Sequence, residues 1–366
     1  MADTPVATGL TVQNWDSKFF KEYLEANRFK KEMGTSSNNI IQLKEDLTKK
    51  KGDSVTFALV NRLSGAGVTG SNTLEGNEEA MDTRSFKLAV NKIRNAVRVA
   101  EIDEQFSAIS LRQAGREVLM DWIMENMRDG IITALGSING VAYASATEAQ
   151  KDGWLDDNFD RVLFGDALAN TDATGGTVAY DMSSSLLNVT SSMKFTAASL
   201  QLMKRIASTA SPKIRPIRTS EDERWFVAYT NSRCFRDLKA DTTITAAQRE
   251  AWSRGSSNPL FTGGDIIYDG IIVKEIPDID SLGTVGGSSA AVSPVYLCGA
   301  QALGIAWAKK TTSKTETFDY GDKMGVAIEE IRGIGKMRFG SHATVDTNDL
   351  KDHGIVTGFF GAAADA

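Results

Sequence analysis

The sequence of this 366-residue chain predicts an α+β fold, and three observations carry that prediction. Apolar runs with a period of two, typical of half-buried strands, alternate along the chain with runs at helical spacing. One long helix is predicted over 103–129. Two strand patterns, 54–60 and 84–90, enclose a polar segment much longer than a tight hairpin turn. We expect this segment, 61–83, either to be disordered or to be ordered by something outside its own subunit.

Composition narrows the class of protein. Hydrophobic residues make up 42% and charged residues 24%, which is the composition of a globular chain with a core, and the length allows two domains. The net charge of −6 argues against a protein whose main task is binding phosphates. No signal peptide and no apolar run of membrane-spanning length is visible, so we expect a cytosol-like compartment and no membrane partner. Cys234 and Cys298 lie in apolar runs and are expected to be buried free thiols, although a disulfide stays open.

The N-terminal residues predict an arm. Residues 1–10 form a loose start, and Thr11 can cap a helix that runs to about Lys31. Trp15, Phe19 and Tyr23 fall on one face of that helix. Three aligned aromatic side chains need a surface to dock on, either in the same subunit or in a neighbour.

The spacing of apolar residues predicts the strands and the long helix between 40 and 130. A short strand is predicted at 40–43. The apolar positions change parity between Val90 and Ile93, which predicts a bulge or a bend. The long helix is capped at Asp103 and ended by Gly130, and at 1.5 Å per residue it is roughly 40 Å long.

The second half of the chain alternates between short helices and strands. A strand beginning at Pro294 is predicted to pass into a small-residue helix that reaches Trp307. Asp269-Gly270 is predicted to bend two strand runs within 266–276. The remaining predicted elements are a helix at 195–206, a strand at 224–229, a helix at 232–239, a Gly/Ser loop at 281–289, and β runs at 326–339 and 354–360.

The sequence contains no recognisable catalytic motif. His342 and His353 are the only histidines, and both are expected on loops or the surface. Nucleophile-elbow, zinc-protease and Walker-type patterns are absent from the sequence. The acidic groups Asp156/Asp157/Asp160 and Asp346/Asp349 could bind a hard cation, but solvated loop acids are the favoured interpretation. We therefore predict no catalytic, cofactor-binding or metal-binding residues, no cofactor and no enzymatic activity.

A series of segments, in order along nearly the whole chain, matches a known family. The series resembles the major capsid protein of tailed bacteriophages, which has the Hong Kong 97-type capsid fold, and within it the short-tailed phages related to coliphage N-four. The matching segments are 15–23 (WDSKFFKEY), 111–117 (LRQAGRE), 161–165 (RVLFG), 225–227 (WFV), 235–238 (FRDL), 259–263 (PLFTG), 268–270 (YDG), 297–302 (LCGAQA), 318–320 (FDY) and 325–327 (GVA).

The resemblance implies a division of the chain, with the spine helix at 103–129. It also implies that loops at 262–270 and 281–289 are candidates for the centre of a hexamer or pentamer. The implied parts are an N-terminal arm (1–52), an extended loop lying over a neighbouring subunit (53–100), a peripheral domain (101–194), an axial domain (195–312) and a return to the peripheral domain (313–366).

The resemblance further implies a function. The chain would self-assemble as hexamers and pentamers into an icosahedral shell enclosing double-stranded DNA, with non-specific DNA contacts. Its partners would be a separate scaffolding protein, a portal and, as an option, a decoration protein, and assembly would occur in the host bacterial cytoplasm. Some members cross-link a loop lysine to a neighbour, but 61–83 contains no lysine, so that chemistry is not carried over. The alternatives are a tail-tube or surface-layer subunit and, less favoured, an enzyme with an unrecognised site.

Overall fold

The computed structural model describes residues 28–168, 180–218, 223–252, 265–340 and 350–364, except positions 46, 48–51, 61, 62, 64, 66, 80 and 82. The predicted N-terminal helix lies almost entirely outside the described residues. Its last positions form a turn and a short 3-10 helix, Lys30–Glu32, so the helix does not continue to Lys31.

The described chain confirms the α+β prediction. Its helices are α1 (Glu101–Phe106), α2 (Leu111–Leu135), α3 (Glu148–Asp157), α4 (Met182–Leu187), α5 (Ala197–Thr209), α6 (Ser232–Ala240) and α7 (Thr242–Trp252). Its strands are β1 (Met33–Gly34), β2 (Ile41–Lys44), β3 (Ser54–Val60), β4 (Thr83–Ala89), β5 (Asn91–Ala100), β6 (Val162–Phe164), β7 (Ala167–Leu168), β8 (Ile217–Arg218), β9 (Arg224–Thr230), β10 (Ile266–Tyr268), β11 (Ile271–Glu275), β12 (Val292–Cys298), β13 (Leu303–Phe318), β14 (Lys323–Lys336), β15 (Arg338–Gly340), β16 (Leu350–Asp352) and β17 (Ile355–Gly361).

The chain divides into two compact units. The small unit contains 92–127 and 309–331, and the large unit contains 28–91, 128–308 and 332–366. In the small unit, Leu119 and Ile123 of α2 pack against Val326 and Ile328 of β14. These residues recur at helical spacing on α2 and at a spacing of two on β14, so one face of each element packs against the other.

The large unit is built around a sheet in the order β10-β11-β9-β12-β17-β6-β7, with β8 paired to β9. β12 and β17 are antiparallel and in register from Val292↔Gly361 to Cys298↔Ile355. Both strands are buried along their whole length, because an apolar layer covers each face of the sheet. One layer includes Leu200 and Phe235, and the other includes Trp154.

Side-chain capping explains why several helices begin where they do. Thr196 accepts a hydrogen bond from the Ser199 N–H at the start of α5, and Asn231 accepts one from the Cys234 N–H at the start of α6. Both residues are of the type that satisfies the unpaired amides of a first helical turn. The predicted helices at 195–206 and 232–239 are confirmed within a few residues.

The predicted helix over 103–129 has the wrong bounds. The chain forms α1, breaks at 107–110, and then forms α2 from Leu111 to Leu135. At the break, Ser107 Oγ accepts the Ile109 N–H outside any helix, and Ser110 Oγ accepts the Gln113 N–H, which caps the first turn of α2.

Gly130 does not end α2, because the residues that follow it are drawn into the core. Ile131 and Leu135 are fully buried. A side chain at Gly130 would approach Ile334 Cδ1 to 3.0 Å, so the glycine allows close packing instead of terminating the helix.

The predicted small-residue helix up to Trp307 is wrong. β12 ends at Cys298, the chain turns through Gln301 with a φ of 58°, and β13 begins at Leu303. The small residues serve tight packing within the large unit: a Cβ on Gly304 would lie 2.9 Å from the Phe57 ring. The predicted bend after Val90 is confirmed, since β4 ends at Ala89 and β5 begins at Asn91 in a different sheet.

Candidate assembly surfaces

The extended hairpin consists of β3 and β4, paired from Ser54↔Ala89 to Val60↔Thr83. Its burial alternates, so one face of the ribbon is covered and the other is exposed. The covered face joins an apolar cluster with β13 and β15: Val55, Phe57, Phe86, Leu88, Ala306, Met337 and Phe339. Lys44 Nζ also donates to the Thr56 carbonyl at 2.8 Å. The base of the hairpin is therefore fixed to the large unit of its own subunit.

Beyond the hairpin base, three large apolar side chains among the described residues of 61–82 are exposed. Leu63, Leu74 and Met81 are 59%, 62% and 67% exposed. Exposed apolar groups rimmed by polar residues are typical of contact surfaces. The sequence prediction that this segment has little to bury in its own subunit is consistent with these exposures.

The same segment is acidic. Glu75, Glu78 and Glu79 are exposed. Glu79 accepts a hydrogen bond from the Gly65 N–H at 2.7 Å, and Glu78 accepts one from the Gly76 N–H at 2.8 Å. We call Glu75, Glu78, Glu79 and the adjoining exposed Leu63, Leu74 and Met81 the acidic tip.

In the small unit, three lysines surround one carboxylate. Lys92 and Lys314 lie 3.0 and 2.8 Å from the Glu329 carboxylate, and Lys309 also donates to it. Hydrogen bonds from Lys309, Lys314 and Lys92 hold the pKa of Glu329 well below its usual range. Glu329 is buried, whereas the lysine side chains are substantially exposed.

Two arginines extend this positive surface along β5. Lys92, Arg94 and Arg98 are exposed, whereas the alternating Ile93 and Val97 pack on the apolar cluster with α2. Because successive side chains of a strand point to opposite faces, both arginines share the face of Lys92. We call Lys92, Arg94, Arg98, Lys309 and Lys314 the basic face.

The turn that joins β13 to β14 displays aromatic side chains. Asp319 and Tyr320 have φ angles of 54° and 51°, a conformation that non-glycine residues rarely adopt. Tyr320 is fully exposed and Phe318 partly so. Lys323 Nζ donates to Asp319 at 2.9 Å and holds the turn.

Of the two loops predicted for a capsomer centre, 281–289 is described in full and 262–270 only in part. Loop 281–289 is fastened to its surroundings, since the Leu282 N–H donates to the Val292 carbonyl and the Gly287 N–H donates to the Val189 carbonyl. In the second candidate, 262–264 lie outside the described residues. Its Asp269-Gly270 turn joins β10 to β11 as predicted, and Lys204 Nζ donates to Asp269 Oδ1 at 2.9 Å.

His353 lies on the short loop between β16 and β17, as predicted, but its side chain is half-buried instead of open to solvent. Its ring meets Phe339 edge-on, with 5.2 Å between the ring centroids. Burial, with the charges of Arg161 and Arg215, lowers its pKa to about 4. His342, Asp346 and Asp349 lie outside the described residues.

Asp160 is engaged in a structural ion pair and is not a solvated loop acid as predicted. It lies 3.0 Å from Arg161 Nε, and it accepts the Ser211 N–H at 2.8 Å. Arg161, almost fully buried, also donates to the Asp352 carbonyl. Burial raises the pKa of Asp160, but the hydrogen bonds and charge of Arg161, the Ser211 N–H and the charge of Lys351 together outweigh it, so the pKa is lowered.

A different acidic group, missed in the sequence, brings Glu148, Asp152 and Asp181 within 4.8 Å of one another. Asp152 accepts the Met182 N–H and Asp181 accepts the Ser184 N–H. Those bonds satisfy the first turn of α4, so the cluster is explained by capping.

Cys234 and Cys298 are buried free thiols, as predicted, and burial raises the pKa of Cys234 to about 12.

The family model for phage capsid protein matches residues 3–358. This chain belongs to the phage capsid protein family. It is a phage major capsid protein, a subunit of the capsid shell. The chain is 28% identical to the major capsid protein of Pseudomonas phage KPP25 over 95% of its own length and 94% of the relative's.

Solved structures agree with this assignment. This capsid protein matches the capsid asymmetric unit of cyanophage Pam1 with a TM-score of 0.86 and 36% identity, over 100% of both chains. It matches the capsid of Ralstonia phage GP4 with a TM-score of 0.74 and 20% identity, again over 100% of both chains, which bears on the fold alone. The Hong Kong 97-like capsid fold implied by the sequence is confirmed. Among the residues described here, no helix is long and apolar enough to cross a lipid bilayer.

Proposed function

We propose that this capsid protein assembles as hexamers and pentamers into an icosahedral shell that encloses the double-stranded DNA genome of its phage. The observation that carries the proposal is the hairpin β3–β4, whose base packs into its own subunit while its tip exposes apolar and acidic side chains. Such a projection gains a buried contact only on another molecule. A closed lattice multiplies modest contacts of this kind, and its interfaces can exceed about 2,000 Å².

The proposed roles of the segments follow the family resemblance. Residues 1–52 act as the N-terminal arm, 53–100 as the extended loop, and 101–194 as the peripheral domain. Residues 195–312 act as the axial domain and 313–366 return to the peripheral domain. The spine helix of this scheme is α2, Leu111–Leu135, and loops 262–270 and 281–289 are the candidates for the capsomer centre.

The proposed partners and place of assembly also come from the resemblance. A separate scaffolding protein and a portal act during assembly in the host bacterial cytoplasm, a decoration protein is an optional partner, and contacts with the packaged DNA are non-specific. The net charge of −6 supports a container that does not clamp its DNA. We place the phage among short-tailed phages related to coliphage N-four, and we assign the chain no catalytic role.

Expression of the full chain, alone and with its phage's scaffolding protein, followed by electron microscopy tests the proposal. Closed shells, or isolated hexamers and pentamers, are expected. Tubes or flat sheets would instead indicate a tail-tube or surface-layer subunit. A chain that stays monomeric or dimeric under both conditions would contradict a structural role in a lattice.

A further inference from the structure

We propose that a cavity in the large unit binds a neutral, mainly apolar small molecule that carries a hydroxyl or carbonyl group. The cavity has a volume of about 470 Å³, which is the size of sites that take small organic ligands. All of its lining residues belong to the large unit. The inference goes beyond the shell function and does not depend on it. It is carried by the shape of the cavity and by a buried hydroxyl group that has no partner.

The floor of the cavity is one face of the central sheet. Pro294 and Tyr296 of β12 lie directly opposite Phe359 and Thr357 of β17. Residues two apart on a strand point to the same face, and paired residues on neighbouring strands share a face, so these four side chains form one block. All four line the cavity. The floor therefore combines apolar rings with hydroxyl groups.

The walls of the cavity are buried side chains that cover this face. They include Leu135 of α2, Ile138, Trp154 of α3 and Ile279, each no more than 3% exposed. Asp280 also lines the cavity and is exposed, so it lies at the opening to solvent. Deep walls of this kind admit a small molecule, whereas a helix or strand of a second protein needs an open groove or a free sheet edge.

The Tyr296 hydroxyl is the polar group that a ligand would meet. Tyr296 is 6% exposed, and within the described part of the chain its hydroxyl has no hydrogen-bond partner. A Cβ at Gly136, another lining residue, would come within 2.8 Å of this oxygen, so the missing side chain keeps space open beside it. Burial raises the pKa of Tyr296, so the phenol stays neutral and can donate. A ligand oxygen that accepts this proton would satisfy a buried group that is otherwise unpaired.

The charges around the cavity favour a neutral ligand. Lys336 lines the cavity, but its ammonium group is already paired with Asp352 Oδ2 at 2.8 Å, and both side chains are almost completely buried. The same ammonium group lies 5.4 Å from the centroid of the Trp154 ring. An anionic ligand would add a buried charge where the cation is already neutralised, which is unfavourable.

The test uses two probes that share one ring system. The first is 2-naphthol, which is neutral and carries a hydroxyl group, and the second is 2-naphthoate, which carries a carboxylate. Each is titrated into the full chain by calorimetry, and the unfolding midpoint is recorded with and without probe. We expect 2-naphthol to bind saturably, with one molecule per subunit, and to raise the midpoint. Binding of 2-naphthoate should be weaker by about tenfold or more.

Two substitutions locate the binding. Tyr296→Phe removes the hydroxyl group and keeps the ring, and it should weaken binding of 2-naphthol by about fivefold. Ala142→Phe, at another lining position, places a ring in the cavity and should weaken binding by about tenfold or more. The matched controls are Tyr268→Phe and Ala167→Phe, which lie outside the cavity lining and should bind 2-naphthol as the wild type does.

The outcomes that would overturn the inference are distinct. A wild-type chain without saturable binding of 2-naphthol has no such site. If both cavity variants keep the wild-type affinity, the probe binds elsewhere and the cavity is not the site. If Ala142→Phe fails to fold, Tyr296→Phe decides by itself against Tyr268→Phe. Equal affinity for 2-naphthoate would contradict the neutral class of ligand. Shell formation is not a readout of this experiment, so failure of the proposed function leaves its result unchanged.

Discussion

The central sheet and the extended hairpin use strands in opposite ways. β12 and β17 are buried at every position, with apolar side chains on both faces of the sheet. β3 and β4 bury one face, and the segment between them leaves large apolar side chains exposed. The buried sheet therefore stabilises the subunit, whereas the far end of the hairpin leaves apolar side chains for contacts with other molecules.

This division makes the expected effect of a substitution depend on its region. A change in the sheet alters the free energy of unfolding, because it removes contacts within one chain. A change in the acidic tip is expected to alter assembly and to leave the free energy of unfolding nearly unchanged. Substitutions in each region test this difference.

The largest loss of stability is expected from Phe360→Ala. Phe360 is fully buried on β17 and packs at a tilt against Phe195, with ring centroids 5.1 Å apart. Truncation leaves a cavity and should lower the free energy of unfolding by about 3–5 kcal/mol, measured by urea denaturation of the subunit. Phe106→Ala is the matched control, since Phe106 is largely exposed, and it should change the value by about 0.5 kcal/mol or less. Equal effects at the two sites would remove the basis of the comparison.

A slightly smaller loss is expected from Lys336→Met, because it leaves a buried carboxylate without its cation. Lys336 Nζ donates to Asp352 Oδ2 at 2.8 Å, and both side chains are almost completely buried. The Trp154 indole N–H, 3.1 Å away, would be the remaining side-chain donor described for Asp352. We expect a loss of about 3 kcal/mol in thermal or urea unfolding. Lys323→Met, in a partly exposed pair with Asp319, should have a much smaller effect.

Local signals explain which elements could be predicted. β3, β9, α5 and α6 follow from apolar periodicity and, for the helices, from a capping residue just before the first turn. The errors arose where distant contacts decide the structure. α2 continues past Gly130 because Ile131 and Leu135 are buried in the core, and the glycine leaves room for Ile334. Gly304, before Trp307, lies in a strand against Phe57. Neither neighbour is close in sequence, so periodicity alone could not identify it.

The acidic tip could be predicted from local sequence, whereas the basic face could not. The hairpin tip is one continuous segment, and its polar composition predicted an exposed excursion. The basic face joins residues from β5 and β13 around Glu329 of β14. Sequence shows the lysines but not the strand pairing that brings them together, so this face appears only in the structure.

A moderate and pH-dependent loss is expected from Asp160→Asn. The pKa of Asp160 is lowered in the folded protein, so the carboxylate contributes stability above its unfolded pKa of about 3.9 and loses it as pH falls through the folded value. At neutral pH the variant should be about 1–2 kcal/mol less stable, because the bonds to Arg161 and the Ser211 N–H lose their charge. The two curves should converge in acid. A constant difference at every pH, or an equal effect of Asp156→Asn at an exposed site, would contradict this assignment.

The smallest change in stability, with a complete loss of assembly, is expected when 61–82 are replaced by an Asn-Gly turn. Val60 and Thr83 are already paired, so a two-residue turn can close the hairpin while Phe57 and Phe86 keep their contacts. Loop closure depends weakly on length, and the free energy of unfolding should change by about 1 kcal/mol or less.

Urea denaturation and electron microscopy of the shortened chain test both halves of this expectation. A control with the wild-type loop length but a Gly/Ser sequence at 63–81 separates the loss of side chains from the loss of reach, and it should also fail to assemble. If the shortened chain unfolds, the tip belongs to the core of its own subunit. If it folds and still forms shells, the contacts that close the lattice lie outside the hairpin, and the contrast between the sheet and the hairpin concerns burial alone.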